Sequence, residues 1–484
     1  MKILFLAHRL PWPTNTGGKQ LLYNQIRQLS ASHDVSLICF RHPDSSGDGG
    51  LSDMCRMMKV LEIPTTRKVA LNAFAGLVGD VPLIVSLYAS RSSANIIRRH
   101  LEEDRYDVVI SQIEMAQFIP ESYSGPKILL MEDPEPLKFT RVDKRGWTIR
   151  QRLWRGFETG RLSRYERRQS PRFDRVTLLS EEDARDNQSF LPDARLACVP
   201  YGTDPDWFSP SDAVKRVEGM IVISGNMYHP HNAAAALHFA RDIYPTVKKE
   251  VPDATLWIVG ANPIPEILSL GKTEGITVTG AVPEIRDYLR MARVSICPIA
   301  LKIGVQTKVL EAMACGTPVV TTSAGNSGIG APSGEGLYVA DSDEDFSRWV
   351  VELLRGKGWD DMSARARRFV LDHFSWEISA NKMEKLIADI MKGKRMNIIP
   401  PPPAVFRNEY PLVNLLVVNI YVHENRVTEN NQNIGQLGAK LYVVPKPNVL
   451  LGRFVSWTSQ SMLLKSAVKT NEDFRAFLGR PATV

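Results

Sequence analysis

Val294-Ser295-Ile296-Cys297-Pro298-Ile299-Ala300-Leu301-Lys302-Ile303-Gly304-Val305-Gln306-Thr307-Lys308-Val309-Leu310-Glu311-Ala312-Met313-Ala314-Cys315-Gly316-Thr317-Pro318-Val319-Val320 reads as strand, loop, helix and next strand in one run. Val294 to Ile299 is an apolar run of strand length. After the Gly304 loop, Val309, Leu310 and Met313 recur at helical spacing, and Gly316 with Pro318 just beyond supplies the stop. In an open α/β sheet, ligands sit outside the carboxyl ends of the strands, and backbone N–H groups at a helix start suit an anion. Here those groups belong to about Gln306 to Lys308, and a diphosphate is the expected anion, with Gly304, Val305, Gln306 and Thr307 around it. Lys308 places a cation in the first turn against the helix dipole, a placement that makes sense with an anion bound. Glu311, about one turn on, suits the paired hydroxyls of a ribose. Spacing alone equally allows Lys308 and Glu311 to be the solvated face of a packing helix.

Working outward, the same alternation recurs on both sides. Lys2 to His8, Val35 to Phe40, Val60 to Ile63, Asp107 to Ser111, Lys127 to Met131, Val176 to Leu179 and Leu196 to Pro200 read as strands, separated by amphipathic stretches such as Lys19 to Ser30. Near-continuous apolar strands of this kind predict a parallel sheet with helices on both faces. A turn-rich segment from Pro200 to Asp212 interrupts the pattern, and a second series runs through Met220 to Gly225, Thr255 to Gly260, Ile276 to Gly280, Val294 to Pro298, Pro318 to Thr322 and Gly336 to Ala340. Two Rossmann-like, doubly wound α/β domains are expected: 1–205, then 206–375, followed by helical sequence to about Lys392. Ile398-Ile399-Pro400-Pro401-Pro402-Pro403 marks a stiff spacer into an appendage, 394–484, of unassigned fold; Leu415 to Val422 within it suits either a strand or a sticky disordered segment.

The chain has 484 residues, which suits two cores, and its 44% hydrophobic and 23% charged residues are those of a globular protein. No apolar run approaches the roughly 20 residues of a membrane span. Met1 to Arg9 opens like a signal peptide but is broken by His8 and Arg9, and reads better as a buried strand. Five scattered cysteines show no metal-ligand spacing and fit a reduced, cytoplasmic compartment. A net charge of +7 suits anionic substrates or lipid head groups without requiring nucleic acid. Lys144 to Arg175 is dense in arginine and carries Trp147, Trp154 and Phe157. It suits a basic amphipathic helix lying on an anionic membrane, or a packed helix with solvated arginines; no nucleic-acid module accompanies it.

Lys308 to Val320 with its flanking strands resembles the donor-nucleotide segment of the retaining family 4 glycosyltransferases, and similarity continues in order over about 390 residues. Pro11 to Lys19, with Thr16-Gly17-Gly18-Lys19, resembles the family's glycine pair between first strand and first helix. Ser180-Glu181-Glu182-Asp183 and Val199-Pro200-Tyr201-Gly202-Thr203-Asp204 resemble the end of its first domain, and Phe374-Ser375-Trp376 the signature before a cross-over helix, here 376–393. The resemblance implies a GT-B fold, two Rossmann-like domains facing a cleft. It also implies transfer of a sugar from a nucleoside diphosphate sugar to a saccharide or lipid-linked acceptor, with retention and with no obligatory metal or other cofactor. Gly17 and Gly18 can take φ > 0 and let backbone approach a ligand closely, and their position in the family's pattern implies an approach to the donor diphosphate and the acceptor cleft.

The pattern also departs from the family. A Glu, seven residues and a second Glu is usual; here the first place holds Ile303 and only Glu311 remains. Gly304-Val305-Gln306-Thr307-Lys308 is more similar to a subgroup found with exopolysaccharide and exosortase-associated gene sets. The frequent Arg and Lys pair is absent around Gly225-Asn226-Met227-Tyr228-His229-Pro230-His231-Asn232, which leaves Lys308 or Lys302 to supply charge and Gly225, Asn226 and His229 as donor contacts. Many relatives carry a histidine where this chain reads Val108 to Glu114, so Gln112 and Glu114, with Arg9 and Lys19, are the acceptor-side candidates. Asp133, in Met131-Glu132-Asp133-Pro134-Glu135, suits either an acceptor hydroxyl or a loop cap. Catalytic expectations therefore rest on Gly17, Gly18, Lys308 and Asp133. The expected location is the cytoplasm, peripheral on the inner face of the cell membrane, and two other readings remain: a sugar-nucleotide 2-epimerase of the same architecture, and a non-catalytic nucleotide-sugar or glycan-binding subunit of a polysaccharide assembly complex.

Overall fold

The computed structural model describes residues 1–43, 45, 47–64, 81–132, 148–302, 304–356 and 358–393, and the backbone of three strands beyond them. The strand series expected from the apolar runs forms throughout: β1 (Lys2–Ala7), β2 (Asp34–Arg41), β3 (Met57–Glu62), β4 (Val108–Gln112), β5 (Lys127–Leu130), β6 (Arg175–Leu178) and β7 (Leu196–Cys198). They make a seven-stranded sheet in the order β3-β2-β1-β4-β5-β6-β7. Leu4 lies opposite Ser36 on one side and Val109 on the other, both pairings parallel. The Val60 to Ile63 strand starts earlier than expected, at Met57, because Met57 and Met58 pair with Ser36 and Leu37.

A second sheet is built from β8 (Met220–Ser224), β9 (Thr255–Val259), β10 (Ile276–Gly280), β11 (Val294–Cys297), β12 (Val319–Thr321) and β13 (Leu337–Val339). Its order is β10-β9-β8-β11-β12-β13. Every pairing is parallel, with Val222 between Trp257 and Ser295. In both sheets the chain reverses its direction of winding at one point, between β1 and β4 in the first and between β8 and β11 in the second. Crossovers leave opposite faces there, which opens a crevice outside the carboxyl ends of those strands.

Two compact units result. One comprises Met1–Val176, Asn187–Leu196 and Asn397–Val484, the other Thr177–Asp186 and Ala197–Met396. In the second unit, Val309, Leu310 and Met313 are each at most 1% exposed and fix the Thr307–Ala314 helix against the sheet. Burying such side chains contributes about 1.5–3 kcal/mol each. Gly316 takes φ 69 as the helix stops, and the last carbonyls are not left unpaired. Arg367 Nη1 donates to Ala314 O at 2.8 Å, and Arg216 Nη2 to Cys315 O and Gly316 O at 3.0 Å. The helical sequence after Ala340 resolves into Asp343–Leu354, Trp359–His373 and Trp376–Met391.

Past that point, Val418–His423, Gly438–Val443 and Phe454–Trp457 form a three-stranded antiparallel sheet. The run expected at Leu415 to Val422 is thus a strand from Val418. The polyproline spacer, Ile303, Asp133, Lys144 and Trp147 lie outside the described residues. Among the described residues, no helix is long and apolar enough to cross a membrane.

Candidate functional site

The crevice of the second sheet is lined by Ile223, Ser224, Asn232, Ala235, Cys297, Pro298, Ile299 and Lys308. Two neighbouring glycines shape its rim. Gly225 and Gly260 adopt φ 144 and 150, the Gly225 N–H donates to Val259 O at 3.1 Å, and any Cβ on Gly260 would run into the Gly225 carbonyl. Here glycine is required by a close backbone approach.

Beyond Gly225, the loop builds itself. Asn226 Oδ1 accepts from the Tyr228 N–H at 3.0 Å, and its carbonyl accepts from Asn232 Nδ2 at 3.0 Å and from the His229 N–H at 3.2 Å. Asn226 therefore shapes the turn. His229 is exposed and stacks on His231 with centroids 5.7 Å apart. Burial, with Lys308 and His229 nearby, pushes His231 down to about 4, so this ring is neutral at pH 7.

Lys308 and Glu311 are both half-buried on the Thr307–Ala314 helix, which excludes the fully solvated alternative. Lys308 Nζ donates to Asn232 Oδ1 at 2.5 Å. Burial lowers the Lys308 pKa, with Cys297 and Glu311 opposing. Burial raises Glu311 to about 7, against the pull of Lys308. Among the described residues, no group donates a hydrogen bond to the Glu311 carboxylate, which leaves both oxygens available as acceptors. Asn232, buried on the Pro230–His238 helix, is the residue sequence reasoning missed, since no local pattern announces a lysine partner 76 positions away.

In the Gly304 loop, one of the N–H groups expected to face an anion, that of Thr307, donates instead to Val305 O at 3.1 Å, and the Val309 N–H donates to Gln306 O at 2.9 Å. Gln306 is 6% exposed. Gly304 does take a left-handed φ of 49 and sits beside Gly328, where a Cβ would meet the Gly304 carbonyl at 2.7 Å. Lys302 is not a spare cation either, because its ammonium is 2.5 Å from Glu182 and 2.6 Å from Asp186.

In the first unit, Gly17 and Gly18 open the Gly17–Ser30 helix without using the positive φ that glycine allows. A Cβ at Gly18 would overlap the Glu132 carboxylate, whereas Gly17 has nothing within 4 Å. The chain thus lays its own anion on this helix start, where the dipole favours one. Lys19, expected on the acceptor side, is 2% exposed on the helix's inner face.

Arg9, Gln112 and Glu114 do come together, and two histidines that the sequence reading passed over join them. Gln112 Oε1 accepts from the His8 N–H at 3.1 Å, and His42 Nε2 lies 3.1 Å from the His8 carbonyl and 3.2 Å from the Tyr88 hydroxyl. Arg9 Nε donates to His8 Nε2 at 2.9 Å. His8 Nδ1 is 3.3 Å from Glu114 Oε2, without the geometry of a hydrogen bond. Burial raises the Glu114 pKa, but His8 and Arg9 outweigh it and hold the carboxyl below its ordinary value. Among the described residues, no group of three or more His, Cys, Asp or Glu suits a metal ion.

Residues 218–356 match the model described as "Glycosyl transferases group 1". Over 389 residues the chain is 22% identical to an uncharacterized 44.6 kDa protein in the cps region of Klebsiella pneumoniae, covering 77% of this chain and 96% of that one. Over 251 residues it is 30% identical to a GDP-mannose-dependent alpha-(1-6)-phosphatidylinositol monomannoside mannosyltransferase of Mycolicibacterium smegmatis, covering 46% of this chain and 63% of that one. Two solved structures share the fold. Sucrose-phosphate synthase from Thermosynechococcus elongatus has a TM-score of 0.60 at 14% identity, covering 81% of this chain and all (100%) of that one. Anabaena Alr3699/HepE in complex with UDP has a TM-score of 0.55 at 12% identity, covering 80% of this chain and 100% of that one. The matched domain contains Gly225, Asn232, Lys308 and Glu311, and it sits in a chain with two parallel Rossmann-like sheets: the protein is a GT-B glycosyltransferase with a glycosyl transferases group 1 domain.

Proposed function

We propose that the protein moves a sugar, with retention, from a nucleoside diphosphate sugar to a saccharide or lipid-linked hydroxyl in cell-surface polysaccharide or glycolipid synthesis. The observation that carries this reading is Glu311: a half-buried carboxylate with no hydrogen-bond donor among the described residues, beside the Lys308 ammonium, at the switch point of the second sheet. A ribose presents two hydroxyl donors to such a group, and Lys308 meets the charge that develops on the departing diphosphate. A relative in a cps region, a GDP-mannose-dependent relative and a UDP-bound structural neighbour support the donor and acceptor classes. The exposed stripe of Ile149, Leu153 and Phe157, with Arg150, Arg152 and Arg155 around it, supports attachment to an anionic membrane surface where lipid-linked acceptors lie.

Thermal shift of the full chain against UDP-, GDP- and dTDP-sugars tests the donor. One class is expected to raise the melting temperature, because a ligand at about 100 times its Kd stabilises by about 2.7 kcal/mol. Glu311→Ala should abolish that shift. No response to any of them would overturn the assignment. Epimerised sugar nucleotide without an acceptor would favour the epimerase, and tight donor binding without turnover the binding subunit.

A further inference from the structure

The first sheet has its own switch point between β1 and β4, and His8 stands directly beyond the end of β1 there. Its main chain is fixed on both sides, by Gln112 from the end of β4 at its N–H and by His42 from beyond β2 at its carbonyl. The side chain is 17% exposed and that of Glu114 is 14% exposed. Because Arg9 Nε donates to His8 Nε2, that nitrogen carries the lone pair and the ring proton lies on Nδ1, toward Glu114. A residue whose main chain is held on both sides, with a carboxylate 3.3 Å from Nδ1 and with Nε2 as its acceptor nitrogen, is placed to receive a hydroxyl. Arg9 holds the acceptor position while no hydroxyl is there.

We propose that His8, oriented by Glu114, is a hydroxyl-binding residue for the saccharide acceptor, accepting its hydrogen bond at Nε2 in place of Arg9. The proposal rests on the transferase reading and names a residue for its acceptor side. Gln112 and His42 are positioning residues that hold the His8 backbone.

The full chain labelled with 15N-histidine gives the test, with methyl α-D-mannopyranoside, methyl α-D-glucopyranoside and glucose 1-phosphate as probes. The His8 signals are identified by their loss in His8→Gln. At least one probe is expected to move the Nε2 resonance saturably, and Glu114→Gln should shift the ring toward the Nε2–H tautomer and weaken that probe about tenfold, a loss of about 1.4 kcal/mol. Sugar-nucleotide melting shifts should survive in both variants. A His8 resonance unmoved by all three probes, or unchanged affinity in Glu114→Gln, would overturn the proposal. Absence of any sugar-nucleotide response, with His8 still perturbed by a glycoside, would sink the donor reading and leave this one standing.

Discussion

At the scale of the residue, Glu311 governs what pH does to the proposed donor site. Its carboxyl is raised from 4.5 to about 7 by burial, so the folded state holds a proton that the unfolded chain has already lost across that window. Stability therefore falls as pH rises from about 4.5 to about 7, and the cost is fully present above it. Glu311→Gln is expected to remove the cost, raising stability at pH 8 by on the order of 2 kcal/mol and near pH 4 by almost nothing, in urea unfolding at the two values. Binding runs the other way. Ribose hydroxyls donate to the ionised carboxylate, so sugar-nucleotide affinity should rise between pH 6 and 8 with a proton released, and titration calorimetry in buffers of different ionisation enthalpy would show it. His231, already neutral at 7, adds nothing in that range.

At the scale of the element, strands and the Thr307–Ala314 helix were legible because their signals are local: apolar runs of strand length, 3.6-residue spacing, a Gly and Pro stop. Groupings were not. His8 and Gln112 are 104 positions apart and meet only because β1 pairs with β4, and the switch point that unites them is a property of strand order. The surroundings of Gly18 were hidden for a related reason. Its neighbour is Glu132, brought in from beyond β5, and no local pattern records that. The Ile149–Gln169 helix was visible as a basic stretch, and the structure sharpens it, since Ile149, Leu153 and Phe157 recur every fourth residue on one exposed side. Replacing Arg150, Arg152 and Arg155 with Glu should weaken co-sedimentation with phosphatidylglycerol vesicles by tenfold or more at low salt, at about 1 kcal/mol per charge, and leave neutral vesicles unaffected. Equal binding to the anionic vesicles would dismiss the membrane role.

On the scale of the whole molecule, the chain carries two compact units, and the second has a continuous core of its own running from Met220 to Phe374. Glu311, Lys308 and Asn232 all belong to it. Calorimetry should resolve two transitions, and a bound sugar nucleotide should raise the one that belongs to the second unit while Glu311→Ala cancels the rise. The backbone contact between Gly225 and Gly260 bears on how the proposed donor site would change over time. Two loops that touch through bare main chain cannot drift independently: a side chain gained at residue 260 must be met by a retreat at 225. Exchange of donor preference, in evolution or in the laboratory, is then a matter of transplanting the two loops together.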